Sequence, residues 1–400
     1  MKSTIAALAL ASLMPHLTPL AAQAQEPPRT PIKIGFVSTF SGPSGQLGQE
    51  LLLGFRLGIA SVGGQLGGRP VEIIEGDDQA KPDVGRQLVD KMIESNRVQI
   101  ITGINFSNVL LAVAKPALDA GAFVISVNAG PSQLAGRGCH PRFFAAAFQN
   151  DTSAEAMGLH LTAKGVRRVY LMAPNYPAGR DYLNGFKRTF KGEIVGEVYT
   201  AFGQLDYAAE IAQLRAAGPE AVFFFYPGGM GINFVKQYAQ AGLRAAVPLY
   251  GPSFSLDQTV LPAIGDAALG AFASSFWSES LDNAASRKFV ADFEAAHGRI
   301  PAPYAAQGYD AARLIDAALK SIGGRIEDKA AFQRALETVT FDTVRGRFRF
   351  NTNHFPIQDF YLNEIVKDDR GRLVMGLRER IVADYPDAYA GECRMRPATN

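Results

Sequence analysis

The sequence predicts an α/β fold of two parallel-sheet lobes, and three observations carry that expectation. The first is the unit at residues 32–60, IKIGFVSTFSGPSGQLGQELLLGFRLGIA, where an apolar run passes through a Ser/Gly turn into a helical pattern. The run IKIGFV has the length and unbroken apolarity of a strand buried on both faces. Gly42, Gly45 and Gly48 punctuate the turn, and Leu51, Leu52, Phe55, Leu57 and Ile59 gather mostly on one helical face. The second is that strand and helix patterns alternate after this unit over short links, as they do when helices cover a parallel sheet. The third is that the alternation begins again near residue 167, so that two βα series of similar length lie end to end. The space between two such lobes is the natural cleft.

Taken in order, residues 70–78 (PVEIIEGDD) read as the second strand and 84–95 as its helix. Residues 98–103 (VQIITG) form a third strand, 107–119 a helix and 122–127 (AFVISV) a fourth strand. RFFAAAF at 142–148 then runs directly into NDTSAEAMGLHLTAKG, where residues 151–153 suit a helix cap. The second series has strands at 167–174, 192–200, 221–227 and 247–252, with helices at 179–190, 207–217 and 232–241. ALGAFASSFW at 268–277 carries the chain onward to helices at 284–297 and 303–321. Two hairpin-like strands, 344–350 and 357–366, follow.

A chain of 400 residues, 47% of them hydrophobic, buries more than one core. Its net charge of +2 comes from scattered basic residues with no cluster interleaved with aromatics, which argues against a nucleic-acid partner. The first residues read as an address. Lys2 supplies a positive start, residues 5–13 a short apolar stretch, and Ala22-Gln23-Ala24 a small-x-small cleavage site, so an export signal over residues 1–24 is expected, cut after Ala24. An oxidising compartment permits Cys139 and Cys393 to bridge; the alternative is two unrelated thiols.

No catalytic constellation emerges. The opening turn is spaced G-x-x-G-x-x-G, whereas a dinucleotide pyrophosphate turn wants G-x-G-x-x-G, and Gly228-Gly229-Met230-Gly231 is weaker still. Asp77 and Asp78 are adjacent at a strand end and read as turn and cap residues rather than an acid pair. The histidines lack metal-ligand spacing, and no serine sits in a G-x-S-x-G elbow; neither a metal nor a cofactor is expected. What recurs instead is a set of strand ends rich in small polar and aromatic groups: Asn105, Phe106 and Ser107; Asn128, Ala129 and Gly130; Asn175 and Tyr176; Tyr226; Ser253 and Phe254. Ser107 stands at a helix start, where its hydroxyl and the following N–H groups suit a carboxylate, or where it is a plain cap. Set beside these, the glycines of the first turn read as turn-makers that bring Gln46 and Leu47 to a cleft.

The chain resembles the periplasmic solute-binding proteins of branched-chain-amino-acid-type ABC importers, across almost its whole length after the signal. The marks are FSGPSGQLGQE at 40–50, GGQLGGRPVEIIEGDDQAKP at 63–82, NYPAGRD at 175–181, AAGPEAVFF at 216–224, YAAQGYDAARL at 304–314 and FDTVRGRFRF at 341–350. The resemblance implies two doubly wound parallel-sheet lobes joined by a three-crossover hinge, the type I periplasmic-binding fold. The crossovers would lie near 142–148, 271–277 and 354–359, with lobe 1 as 31–144 plus 276–354 and lobe 2 as 145–275 plus 355–400. The family's carboxylate-holding Ser and small residue correspond to Ser107 and Ala129. Its ammonium-holding Thr and Glu correspond to Gly130 and Ser253, and Leu47 stands where an aromatic is common. A buried ammonium without an acidic partner costs several kcal/mol, which argues against an α-amino acid.

The stretches FFFYPGGMG, YGPSFSLDQ and NHFPIQD are similar to the subgroup that binds aromatic carboxylates, both benzoate-like and phenylpropenoid acids. An aromatic body would then pack near Phe106, Tyr176, Tyr226 and Phe254, with Asn105, Asn128 and Ser253 reading ring substituents. The resemblance further implies a periplasmic, monomeric protein without a cofactor whose partners are an organic-acid ligand and membrane permease subunits. A binder of branched-chain or other amino acids, a ligand-sensing receptor module and an exported enzyme are the alternatives.

Overall fold

The computed structural model describes residues 30–395, so the export signal expected at 1–24 lies outside the described residues. The first series comprises β1 (Ile32–Ser38), α1 (Gly45–Ser61), β2 (Val71–Asp77), α2 (Pro82–Glu94), β3 (Ile100–Thr102), α3 (Ser107–Asp119), β4 (Phe123–Ser126), α4 (Ser132–Ala135) and β5 (Phe143–Ala145). The second comprises α5 (Asn150–Ala163), β6 (Arg168–Pro174), α6 (Pro177–Thr189), β7 (Glu193–Thr200), α7 (Ala208–Ala217), β8 (Ala221–Phe224), α8 (Gly229–Gln240), β9 (Leu249–Pro252), α9 (Leu261–Ile264) and β10 (Phe272–Ser275). Three helices, α10 (Ala284–His297), α11 (Pro303–Ser321) and α12 (Lys329–Thr338), precede β11 (Phe348–Phe350), β12 (Pro356–Lys367) and β13 (Leu373–Tyr385).

The five strands of the first sheet are all parallel, in the order β2-β1-β3-β4-β5. The second sheet repeats that plan as β7-β6-β8-β9-β10, again all parallel. It then continues through antiparallel β12, which pairs with both β11 and β13. The fold is therefore α/β with two doubly wound lobes, the second sheet being mixed at one edge. β1 earns its central place by composition, since six of its seven residues are buried and only Lys33 is partly exposed. Asp77 and Asp78 serve the β2 turn: Asp77 Oδ1 accepts from Phe40 N and Gln79 N, and Asp78 Oδ1 from Thr39 Oγ1 and Ala80 N.

Helix α11 lies on α1 through facing glycines. A β-carbon at Gly54 would fall 2.0 Å from the Ala305 carbonyl oxygen, and one at Gly308 2.2 Å from that of Leu51. The chain passes between the sheets at 146–149, 276–283 and 339–347. The third passage comes earlier than the sequence suggested, because β11 and β12 form one antiparallel hairpin that belongs wholly to the second sheet. Arg345 fastens this passage to the first: it donates to Asp310 Oδ2 (2.9 Å), the Ala147 carbonyl (2.8 Å) and Gln358 Oε1 (3.1 Å). Cys139 and Cys393 are disulfide-bonded with Cα atoms 5.7 Å apart, tying the segment after β13 to the loop after α4. The Tyr389 hydroxyl adds a second tie, donating to Asp151 Oδ2 (2.6 Å) and accepting from Arg188 (2.8 Å). Among the described residues no helix is long and apolar enough to cross a membrane.

Candidate ligand cleft

In open α/β sheets ligands gather outside the carboxyl ends of the strands, where the strand order reverses. Here the order reverses between β1 and β3 in one sheet and between β6 and β8 in the other. The loops leaving those ends face one another around a small cavity of about 20 Å³. The first lobe contributes Leu47 from α1, Asn105, Phe106 and Ser107 after β3, and Asn128 and Ala129 after β4. The second contributes Tyr176 and Ala178 after β6, Phe225 and Pro227 after β8, and Phe254 after β9. Phe148 enters from the first passage between sheets, Asn150 from the start of α5, Tyr182 from α6 and Tyr304 from α11. A cavity of that volume holds about one water molecule, so the lobes are drawn together here and a ring enters this space only as its walls move apart.

The walls are aromatic and arranged in pairs. Phe254 stacks on Phe148 (centroids 4.8 Å, planes 22° apart) and meets Tyr304 edge-on at 5.3 Å. Tyr182 stacks on Phe225 at 4.0 Å, and Phe106 of the first lobe meets Tyr176 of the second at 6.2 Å and 68°. Among the described residues no Lys, Arg, His, Asp or Glu side chain lines the cavity. Burial holds the Tyr176 and Tyr182 phenols far above their ordinary pKa, so both stay protonated.

Polar character comes from helix starts and amides. Ser107 opens α3 and Ala178 lies in the first turn of α6, so the N-termini of two helices, one per lobe, converge on the cavity. Asn150 orders the first of these. Its Oδ1 accepts from Gly130 N (3.1 Å), which fixes the amide orientation, and its Nδ2 donates to Ser107 Oγ (3.1 Å) and Asp181 Oδ2 (2.9 Å). Because Ser107 Oγ already accepts, its own proton is free to point at a ligand. Both polar atoms of the buried Asn105 amide, and Oδ1 of Asn128, have no hydrogen-bond partner among the described residues. Buried groups of this kind ordinarily find one.

The lobes touch beside the cavity. The Pro43-Ser44 turn of the first lobe lies against Gly228 and Gly229 of the second; a β-carbon at Gly228 would stand 2.9 Å from Ser44 Oγ, and one at Gly229 2.9 Å from Pro43 Cβ. Both glycine-rich stretches of the sequence thus meet in space. Asp181 of α6 also crosses to the first lobe, accepting from Ser132 N (3.0 Å) and Ser132 Oγ (2.7 Å). Burial, with the charge of Asp151 added, pushes its carboxyl up to about 6 against the lowering effect of Ser132 and Asn150. The folded state therefore binds this proton more readily than the unfolded chain, and the group's stability contribution falls as pH rises through about 6. An asparagine there would accept from Ser132 N and Asn150 and donate to Ser132 Oγ. Asp181→Asn is expected to melt higher than wild type at pH 8, by on the order of 2 kcal/mol, with the gap closing by pH 4.5. A gap that thermal melts show to be constant across that range would mean the carboxylate carries no such penalty.

Of the residues singled out in the sequence, Leu47, Asn105, Phe106, Ser107, Asn128, Ala129, Tyr176 and Phe254 line this one cavity. Gly130 sits behind it, where a β-carbon would come 2.1 Å from the Phe148 carbonyl oxygen. Tyr226 faces away, its hydroxyl 3.2 Å from Thr200 Oγ1 and its ring against Tyr207 and Phe234. Ser253 is fully buried beside Phe254 and outside the lining, and Gln46 is exposed. Pro227, at the same strand end as Tyr226, lines the cavity, whereas Phe148, Asn150, Ala178, Tyr182, Phe225 and Tyr304 were not anticipated. Tyr182 follows Ala178 by four residues, one helical turn, so the two share a face of α6.

Fold and cleft together define a hinged, two-lobed protein that encloses a small molecule. The periplasmic binding protein family model matches residues 31–370, and the chain belongs to that family. It is 31% identical to an ABC-transporter solute-binding protein of R. palustris solved with benzoate, with a TM-score of 0.86 over 92% of this chain and 100% of that one. A second R. palustris solute-binding protein, solved with 4-hydroxybenzoate, is 26% identical with a TM-score of 0.84, over 90% of this chain and 99% of that one. Leu/Ile/Val-binding protein homolog 6 of Brucella melitensis is 26% identical over 350 residues, 85% of this chain and 89% of that protein. The chain is thus a solute-binding protein of the ABC-transporter type.

Proposed function

We propose that this protein captures a small aromatic carboxylate in the periplasm and delivers it to the permease subunits of an ABC importer. The observation that carries this reading is the cavity lining: paired aromatic rings, two helix N-termini and no acidic side chain. A carboxylate would meet the Ser107 hydroxyl and the first-turn N–H groups of α3, whose partial positive charge favours an anion. A ring would lie among Phe254, Phe148, Tyr304 and Tyr182. A ring hydroxyl would satisfy Asn128 Oδ1 or the Asn105 amide. An α-ammonium would find no counter-ion among the lining side chains, which sets this ligand apart from leucine or valine. The benzoate and 4-hydroxybenzoate complexes of the R. palustris proteins support the same chemistry. The disulfide suits an exported protein.

Calorimetry with benzoate, 4-hydroxybenzoate, cinnamate and leucine tests the proposal: an aromatic acid binds and leucine does not. Tight leucine binding with no response to the acids would overturn it. Ser107→Ala is expected to weaken acid binding by roughly 10- to 100-fold, the worth of one hydrogen bond to a charged group. An unchanged affinity would move the anion site elsewhere.

A further inference from the structure

The loop between β7 and α7 carries the two exposed large hydrophobic side chains among the described residues, Phe202 at 36% and Leu205 at 45%. Phe202 is not a lone surface residue. Its ring meets Phe106 edge-on at 5.4 Å and 88°, and it packs on Tyr176 at 4.9 Å and 49°. Phe106 and Tyr176 come from opposite lobes, touch each other, and both line the cavity. Phe202 covers these two rings without lining the cavity itself. Partly exposed Phe202 thus packs on the junction of Phe106 with Tyr176, two rings that are themselves buried.

The loop presents this ring from a braced position. Gln204 N donates to the Ala201 carbonyl (3.1 Å), the Tyr207 hydroxyl to the Gln204 carbonyl (2.8 Å), and Gln237 Nε2 to the Leu205 carbonyl (2.8 Å). Gln237 Oε1 accepts from Tyr207 N (2.7 Å), so a single side chain of α8 holds the α7 end of the loop at both Leu205 and Tyr207. A hydrophobic side chain held half-exposed by such bracing, against a seam between two lobes, serves that seam rather than the core of its own lobe.

We propose that Phe202 is a specificity-determining residue, the outer ring of a three-ring gate that retains the ligand and limits how far it can extend. This rests on the aromatic-acid reading of the cleft. With the ring in place, a one-ring acid is sealed in, and an acid with a longer unsaturated tail must displace Phe202 to seat. Without it, the Phe106–Tyr176 junction loses the ring that spans its outer face. The gate then parts more easily, and the space it occupied accepts a longer ligand.

Stopped-flow and calorimetric titration of the full exported chain with benzoate and with cinnamate test this on Phe202→Ala and Phe202→Leu. Phe202→Ala is expected to release benzoate roughly tenfold faster with little change in association rate. The cinnamate-to-benzoate affinity ratio should rise, and Phe202→Leu should fall between the two proteins. The residue is over one-third exposed, so neither variant should lose its fold, which a thermal melt without ligand checks. Wild type binding benzoate while both variants keep its release rate and affinity ratio would overturn the gate alone. Wild type binding neither acid would overturn the aromatic-acid reading and the gate with it.

Discussion

Arg345→Ala is expected to lower the unfolding free energy by about 3–5 kcal/mol, the cost of leaving a buried charge without its partner. Arg345 is among the largest fully buried side chains, and Asp310, to which its Nε donates at 2.9 Å, is entirely buried. Its guanidinium also lies 5.0 Å from the ring centroids of Phe276 and of Phe348, one on the second passage between the sheets and the other on β11. Removing it takes the charge partner from Asp310, whose Oδ1 keeps Val344 N (3.0 Å), and the donor from Gln358 Oε1, while the Ala147 carbonyl keeps Gln358 Nε2 (3.0 Å). Burial acts on the pair from both sides, raising the Asp310 carboxyl and lowering the Arg345 guanidinium. A urea titration measures the loss. A midpoint shift equivalent to less than about 1 kcal/mol would mean that water replaces the guanidinium at the hinge.

The second large effect opposes what helix propensity predicts. Gly54 lies mid-helix, where alanine is intrinsically favoured by about 1 kcal/mol. Yet its β-carbon would sit 2.0 Å from a backbone oxygen of α11, far inside contact distance and with no flexible side chain to yield. Packing wins, and Gly54→Ala is expected to destabilise by about 3 kcal/mol because α1 and α11 must move apart. A stabilised variant in the same titration would show that the two helices are not so closely seated.

Much of the architecture was legible because buried parallel strands announce themselves as unbroken apolar runs, as IKIGFV and AVFFF do. β13 was not anticipated: LVMGLRERIVADY carries Arg378, Glu379 and Arg380 mid-strand, and its residues are mostly half-exposed at the sheet's antiparallel edge. The cleft was partly legible for a related reason, since strand ends can be located and their polar or aromatic residues noted. Side-chain direction cannot be located that way. Tyr176 and Tyr226 both lie just past strand ends, yet one faces the cavity and the other packs among Tyr207 and Phe234. Asn150 and Tyr304 were out of reach for another reason: each begins or opens a helix far along the chain, and only the passages between lobes bring them to the site. Gly228 and Gly229 gave no hint of Pro43 and Ser44, because close approach between distant loops leaves no periodic trace in either.

That approach has a consequence for anything that must tell one state of the molecule from another. The Pro43-Ser44 turn and the Gly228-Gly229 turn belong to different lobes, and their contact exists only while both lobes occupy these positions. A surface spanning the two turns is thus a logical conjunction written in shape. A partner that rests on both halves of the seam registers occupancy and geometry in one encounter, and finds nothing to hold when either half swings away.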